Sequence, residues 1–216
     1  MTNKPLLVLG THNCKKGLEL ADLLAPLGFD VQTLADFPGV QEVVEDGETF
    51  ADNAAKKAIQ QARHLGCWVL GEDSGLMVDA LDGAPGVYSA RYAGPDADDQ
   101  ANNAFLLQEL KDAPQKRRGA KYVCHAVVSD PQGRVRARSE ACCRGRILTQ
   151  PRGTSGFGYD PLFEIPEYHR TFAELGSVVK ACLSHRARAM RSLVPGLLAL
   201  LDQGGWRRVA SDEGGA

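Results

Sequence analysis

The sequence predicts an α/β fold, and three observations predict it. Continuous apolar runs of strand length recur, at Leu6–Gly10 and on both sides of a polar knot within Val69–Asp79. Stretches with apolar residues at helical spacing alternate with them, several opened by a capping residue and closed by glycine. A turn signal, Asp130-Pro131-Gln132-Gly133, joins two further strand-like runs. No internal repeat or linker divides the chain. Residues 1–203 are therefore expected to form a single domain, and 204–216 a polar, frayed tail.

Leu6 to Gly10 reads as a buried strand. THNCKK follows, and then Leu18, Ala21, Leu24 and Leu27 share one face of a helix ending at Gly28. Asn13 is its expected N-cap. A helix N-terminus fed by a strand presents free N–H groups that attract phosphate, and Lys15 and Lys16 add positive charge. The same residues also suit a solvated first turn, and neither G-x-G-x-x-G nor Walker A is present.

Phe29 to Leu34 reads as a second strand. After the acidic run Glu42, Glu45, Asp46 and Glu48, Thr49 caps a helix with Asp52 in capping-box position. That helix runs to Leu65, with Phe50, Ala54, Ala58 and Ala62 as its apolar face. Glu45 could reach a metal or be a solvated loop charge.

The knot in VLGEDSGLMVD holds Glu72, Asp73, Ser74 and Gly75. Adjacent carboxylates in a core-crossing segment are costly unless paired or cation-bound. One reading is a metal and catalytic site at a strand end; the other is a turn between two strands.

GAPGVYSARYAG, from Gly83, reads as a structured loop, and Asp98 to Leu110 as a helix. QKRRG reads as a solvated loop. Lys121–Ser129 and Arg134–Leu148 are the strands of the hairpin. In Arg152–Phe163 the glycines surround Phe157 and Tyr159, which suits stacking on a planar ligand or packing into the core. Ser184 caps the last helix, which Pro195-Gly196 should kink or split. His185, Arg186 and Arg188 in its first turn oppose the macrodipole and point to an acceptor-rich partner.

With 24% charged residues and a net charge of -2, nothing draws the chain to nucleic acid or an anionic membrane. No apolar run approaches the ~20 residues of a membrane span, and the start lacks a signal-peptide pattern. The six cysteines show no zinc spacing and are expected to be reduced, in a cytoplasmic protein.

In order, THNCKK, EDGETFADNAAKKA, GEDSGLMVDAL, GAPGVYSARYAG, TSGFGYDPLF and LSHR resemble the inosine triphosphate pyrophosphatase family, which hydrolyses non-standard purine nucleoside triphosphates. The resemblance extends from Thr11 to Arg186. It implies an elongated mixed β-sheet flanked by helices, two lobes around a nucleotide-binding cleft, a homodimer and Mg²⁺. By resemblance, Thr11, His12, Asn13, Cys14, Lys15 and Lys16 form the triphosphate turn, and Ser74 contacts the substrate. Glu45, Glu72 and Asp73 lie at the metal, with Asp73 as proton acceptor. Phe157, Gly158, Tyr159 and Asp160 form the base pocket with Lys180, His185 and Arg186. His12 departs from the family's usual glycine, which puts the backbone contact there in question.

The residue types suit the chemistry. A triphosphate carries about four negative charges and needs Mg²⁺ with Lys and Arg partners. A carboxylate can take the proton of an attacking water. The expected products from inosine, deoxyinosine or xanthosine triphosphate are the monophosphate and pyrophosphate. The alternatives are a non-catalytic nucleotide-binding regulator, and a related-fold hydrolase acting on modified pyrimidine triphosphates or releasing only the γ-phosphate.

Overall fold

The computed structural model describes residues 4–204 and residue 206. Its frame is a seven-stranded mixed sheet in the order β2-β1-β3-β4-β5-β6-β7. The strands are β1 (Leu6–Leu9), β2 (Asp30–Thr33), β3 (Val69–Val78), β4 (Gly119–Ser129), β5 (Val135–Ile147), β6 (Phe163–Ile165) and β7 (Arg170–Thr171). The first three run parallel, as expected where helices make the crossovers, and the rest are antiparallel. The helices are α1 (Cys14–Leu24), α2 (Phe50–Leu65), α3 (Asp99–Glu109), α4 (Phe172–Leu183) and α5 (His185–Asp202). The mixed sheet flanked by helices agrees with the expected fold class.

The central strand differs from expectation. Val69–Val78 is one unbroken strand, paired along its whole length with β4. The polar knot is neither a turn nor a strand end. Its residues lie mid-strand, because cations from the helices on either side compensate the carboxylates that would otherwise break it.

Side chains alternate along β3. Leu70, Leu76 and Val78 face the layer holding α1 and α5, where Leu70 packs with Leu20, Leu24, Met190 and Leu193. Val69 faces the opposite layer, where α2 supplies Ala54, Ala58 and Ala62. On the first face two apolar clusters lie in series. One surrounds Leu70; the other gathers Leu76, Tyr122, Phe163 and Phe172. Glu72 and Ser74 fall in the gap between them.

Thr49 and Asp52 form the expected capping box at the start of α2. The helix then passes close over Gly71, where an added Cβ would clash with the Ala54 carbonyl and the Ala58 nitrogen. Small residues on both sides make this approach possible.

Three further expectations change. Arg118, in the stretch taken as a solvated loop, is buried and donates to the carbonyls of Leu110, Ile147 and Leu148, joining two segments. α5 continues through Pro195 as one helix, so of the kink or split expected there the split does not occur. Trp206, within the supposed frayed tail, is buried and stacks on Trp68 with ring centroids 4.2 Å apart; the rest of the tail from 207 lies outside the described residues. All six cysteines are free thiols.

Gly71→Ala tests the approach of α2 to β3. Overpacking against backbone should cost about 3 kcal/mol, lowering the denaturant midpoint with the m-value unchanged. A variant as stable as the parent would show that the contact is not tight.

Candidate nucleotide site

The turn between β1 and α1 is built from its own side chains. Asn13 caps α1, its Oδ1 accepting from the Lys16 N–H at 3.1 Å. Thr11 Oγ1 accepts from the Asn13 N–H at 3.2 Å. These side chains hold the turn, so the groups left for an anion are backbone N–H donors and Lys16. His12 and Cys14 are exposed, and Lys15 pairs with Asp99 at 2.8 Å.

On the α1/α5 face, Glu72 is buried beneath two cations. Lys16 Nζ lies 3.2 Å from its Oε2, without hydrogen-bond geometry, and Arg186 donates from Nε to Oε1 at 3.2 Å. Arg186 also donates to Glu19 and, at 3.0 Å, to the Ser74 hydroxyl. Every nitrogen of its guanidinium thus has an internal acceptor. The acceptor-rich partner expected for the first turn of α5 is this pair of carboxylates. Burial alone would raise the Glu72 pKa, but Lys16, Arg186 and Lys57 together outweigh it and hold the carboxyl well below its usual range. Next to Arg186, His185 stacks on Tyr122. Burial, reinforced by the Arg186 charge, pushes its pKa well down, so it is neutral.

On the α2 face, Asp73 meets a polar stripe at one-turn spacing: Asn53, Lys57 and Gln61, all buried. Asn53 donates to Asp73 Oδ2 at 3.2 Å, and Lys57 to Oδ1 at 3.1 Å. Each also reaches the acidic loop. Lys57 pairs with Glu45 at 2.9 Å, Asn53 Oδ1 accepts from the Gly47 N–H at 2.8 Å, and Gln61 donates to the Gln41 carbonyl. Burial pushes the Asp73 pKa up; Lys57 and Lys16 oppose the rise without cancelling it, and Glu45 and Glu72 add to it. A carboxylate so placed is a better proton acceptor than a free one. Burial would lower Lys57, but Asp73 and Glu45 raise it, so it stays charged.

The Gly-rich loop splits the two readings of its aromatics. Tyr159 is buried and donates to the Ser89 carbonyl at 2.8 Å. Phe157 faces the cavity, with Lys180 Nζ 4.2 Å from its ring centroid. Asp160 is buried and shapes the loop, accepting from the Phe157 N–H at 2.9 Å and from Lys180 at 2.6 Å. Gly156, at φ +81°, leaves no room for a Cβ beside that carboxylate.

Two chambers result. Phe157, Gly158, Tyr159, Lys180, His185 and Arg186 line the aromatic one. Thr11, His12, Glu45, Lys57, Asp73 and Arg91 line the other. Asn13, Lys16, Ser74 and Ala90 belong to both and form the junction. Cavity volume is about 200 Å³ on the acidic side and about 90 Å³ on the aromatic side. A planar ring stacking on Phe157 must therefore displace a lysine ammonium from its face.

The expected grouping of Glu45, Glu72 and Asp73 around one metal needs correction. Glu72 and Asp73 are consecutive in a strand and point to opposite faces. Among the described residues, no group of three or more His, Cys, Asp or Glu side chains is placed to hold a metal ion. Glu45 and Asp73 share a chamber wall and one lysine. Two carboxylates there fit a hard, mostly hydrated cation that completes its shell from phosphate and water. Residues not anticipated from the sequence are Asn53, Lys57, Gln61 and Glu19. The first three were signalled by polar side chains at i, i+4 and i+8 on α2, whose other buried positions are apolar; Glu19, on α1, carried no such signal.

An aromatic chamber and an acidic chamber that meet at the N-terminus of α1 define an α/β protein with a two-part cleft, matched in chemistry to a ligand with a planar ring at one end and phosphate at the other. The Ham1 family model matches residues 7–196, and the chain belongs to the Ham1 family. It is 58% identical over 195 residues to a protein named dITP/XTP pyrophosphatase from Rhodopirellula baltica, covering 90% of this chain and 94% of that one. A protein of the same name from Desulforamulus reducens is 52% identical, covering 86% of this chain and 92% of that one. The structure of a HAM1 protein from Coxiella burnetii superposes with TM-score 0.82 at 35% identity, covering 90% and 98%. That of a nucleoside-triphosphatase, dITP/XTP pyrophosphatase, from Mycobacterium abscessus does so with TM-score 0.71 at 41% identity, covering 89% and 99%.

Glu72→Gln tests the buried charge cluster. Removing the carboxylate leaves Lys16 and Arg186 short of a counter-charge, at a cost of about 3 kcal/mol at neutral pH. The folded pKa lies below the ordinary 4.5, so this contribution is complete above about pH 4.5 and is lost as pH falls through the folded value. Denaturation measured from pH 7 to pH 3 should give a shallower acid decline in the variant. Parallel declines would mean that Glu72 does not carry the acid sensitivity.

Proposed function

We propose that this protein hydrolyses non-standard purine nucleoside triphosphates, with inosine, deoxyinosine or xanthosine as the nucleoside, to the monophosphate and pyrophosphate. This removes such nucleotides from the cellular pool. The observation that carries the reading is Asp73: a buried carboxylate with raised pKa, oriented by Asn53 and Lys57 on the wall of a chamber that meets a helix N-terminus. The relatives' name, dITP/XTP pyrophosphatase, supports the substrate class and the cut at the α-phosphorus.

In this mechanism the N–H groups at the start of α1 and Lys16 bind the triphosphate. Asp73 accepts a proton from water as the water oxygen bonds to the α-phosphorus. The bond from that phosphorus to the bridging oxygen breaks, and pyrophosphate leaves with the electron pair. Glu45 and Asp73 would hold Mg²⁺, which when bound neutralises phosphate charge and polarises the phosphoryl oxygens. Lys57 pairs with both carboxylates and fixes them on one wall of the chamber. Phe157 stacks on the base, and a 6-oxo group suits the cationic rim of Lys180 and Arg186, both donor-only side chains. A homodimer is part of the reading through the family resemblance. No described helix is long and apolar enough to cross a membrane.

Three experiments test this. Asp73→Asn keeps the shape but cannot accept the proton, so kcat for inosine triphosphate should fall by roughly 10²–10⁴, with substrate binding retained. In the parent enzyme, phosphorus NMR should find pyrophosphate as the product; orthophosphate alone would overturn the reading. Phe157→Ala should raise KM with little loss of Tm, since stacking on an aromatic contributes ~1–3 kcal/mol per base. A large fall in Tm with KM unchanged would place that ring in the core instead.

A further inference from the structure

The phosphate chamber has a cation that the mechanism above leaves unused. Lys16 faces Glu72, and Lys57 faces Glu45 and Asp73, so internal carboxylates already balance both lysines. Arg91 lines the same chamber, and among the described residues no carboxylate lies within ion-pair distance of it. Its guanidinium lies over the Tyr88 ring, 5.4 Å from the centroid, a contact that orients it while leaving its N–H edge unspent.

The backbone carrying Arg91 is fixed. Residues Gly86–Arg91 form a short 3₁₀ segment. The Ser89 hydroxyl accepts from the Leu76 N–H at 2.9 Å, and the Ser89 carbonyl accepts from Tyr159. Asn102 donates to the Ala90 carbonyl and accepts from the Ala93 N–H. Three of these bonds tie the segment to β3, to the Gly-rich loop and to α3, and the fourth holds Ala93 just beyond it. The arm is positioned from outside, and its tip is free.

Its place along the substrate follows from the two chambers. Asn13, Lys16, Ser74 and Ala90 line both, and in the reading above the sugar and α-phosphate cross there. Arg91, next to Ala90, lines the acidic chamber and not the aromatic one, so its side chain faces the phosphate side of the junction. We infer that Arg91, held by Tyr88, binds the β- and γ-phosphates and stays with them as pyrophosphate departs. This rests on the pyrophosphohydrolase reading above. A guanidinium suits the task because its planar fork engages two phosphate oxygens at once.

The test is calorimetric titration of Arg91→Gln and Arg91→Lys, each with Mg²⁺, using inorganic pyrophosphate and inosine monophosphate as separate probes. Arg91→Gln should weaken pyrophosphate about 10- to 100-fold, the usual effect of losing a charge-assisted pair. Inosine monophosphate should bind within about twofold of the parent in both variants, because it ends at the junction. Arg91→Lys should fall between parent and Gln, since it keeps the charge but not the fork. Tm should be unchanged. Pyrophosphate affinity unchanged in Arg91→Gln, or equal loss for both probes, overturns the assignment, as does a change of oligomeric state with pyrophosphate affinity intact. The parent's own products are followed in the same preparation. If the parent releases pyrophosphate while Arg91→Gln still binds it normally, Arg91 alone is misassigned; if the parent yields only orthophosphate, the underlying reading fails.

Discussion

The period-two alternation of β3 is the constraint on which the site depends. Two acids in succession cannot face the same way in a strand. Glu72 is driven toward α1 and α5, Asp73 toward α2. Each buried charge must then find its cation in a different helical layer. The result is two carboxylates of opposite character, one residue apart. Glu72, under Lys16 and Arg186, is held strongly ionised and ties three elements together. Asp73, more weakly compensated, has its pKa raised. One strand thus separates a structural acid from an acid able to exchange a proton.

The helix over Asp73 works as a ruler. Asn53, Lys57 and Gln61 each hold the acidic loop, and the first two also hold Asp73. Their spacing is set by the helix, and the height of the helix by the small residues around Gly71. The distance between Glu45 and Asp73 is therefore fixed by packing rather than by either carboxylate. Orientation by such surroundings is what a reactive constellation requires.

Much of this was legible in the sequence. Caps at Asn13, Thr49 and Ser184, the hairpin turn at Asp130–Gly133 and the apolar face of α2 are local signals, set by residues close in the chain, and the structure shows them where they were expected; Leu18, expected on the apolar face of α1, is instead exposed, and α1 ends at Leu24 rather than Gly28. The polar knot was legible as an anomaly but not as a strand, because what compensates it comes from residues as distant as Arg186. Arg118 misled for the same reason: in sequence it is one of a basic cluster, and only the fold brings three carbonyls around it. The pairing of Glu72 with Asp73 misled by adjacency, since neighbours in a strand are opposed in space. Phe157 and Tyr159 read alike and separate only because one ring has a buried acceptor for its hydroxyl.

The Trp68–Trp206 stack has a practical consequence. These are the only two tryptophans in the chain, and they lie together at the start of β3, the end away from Phe157 and the aromatic chamber. Intrinsic fluorescence excited at the indole band therefore reports on one location, the packing of Trp206 against Trp68 and the α1/α5 core. It is a sensitive optical gauge of whether that end of the molecule is intact. For the same reason it is nearly blind to occupancy of the aromatic chamber, whose lining holds a phenylalanine and cations but no indole.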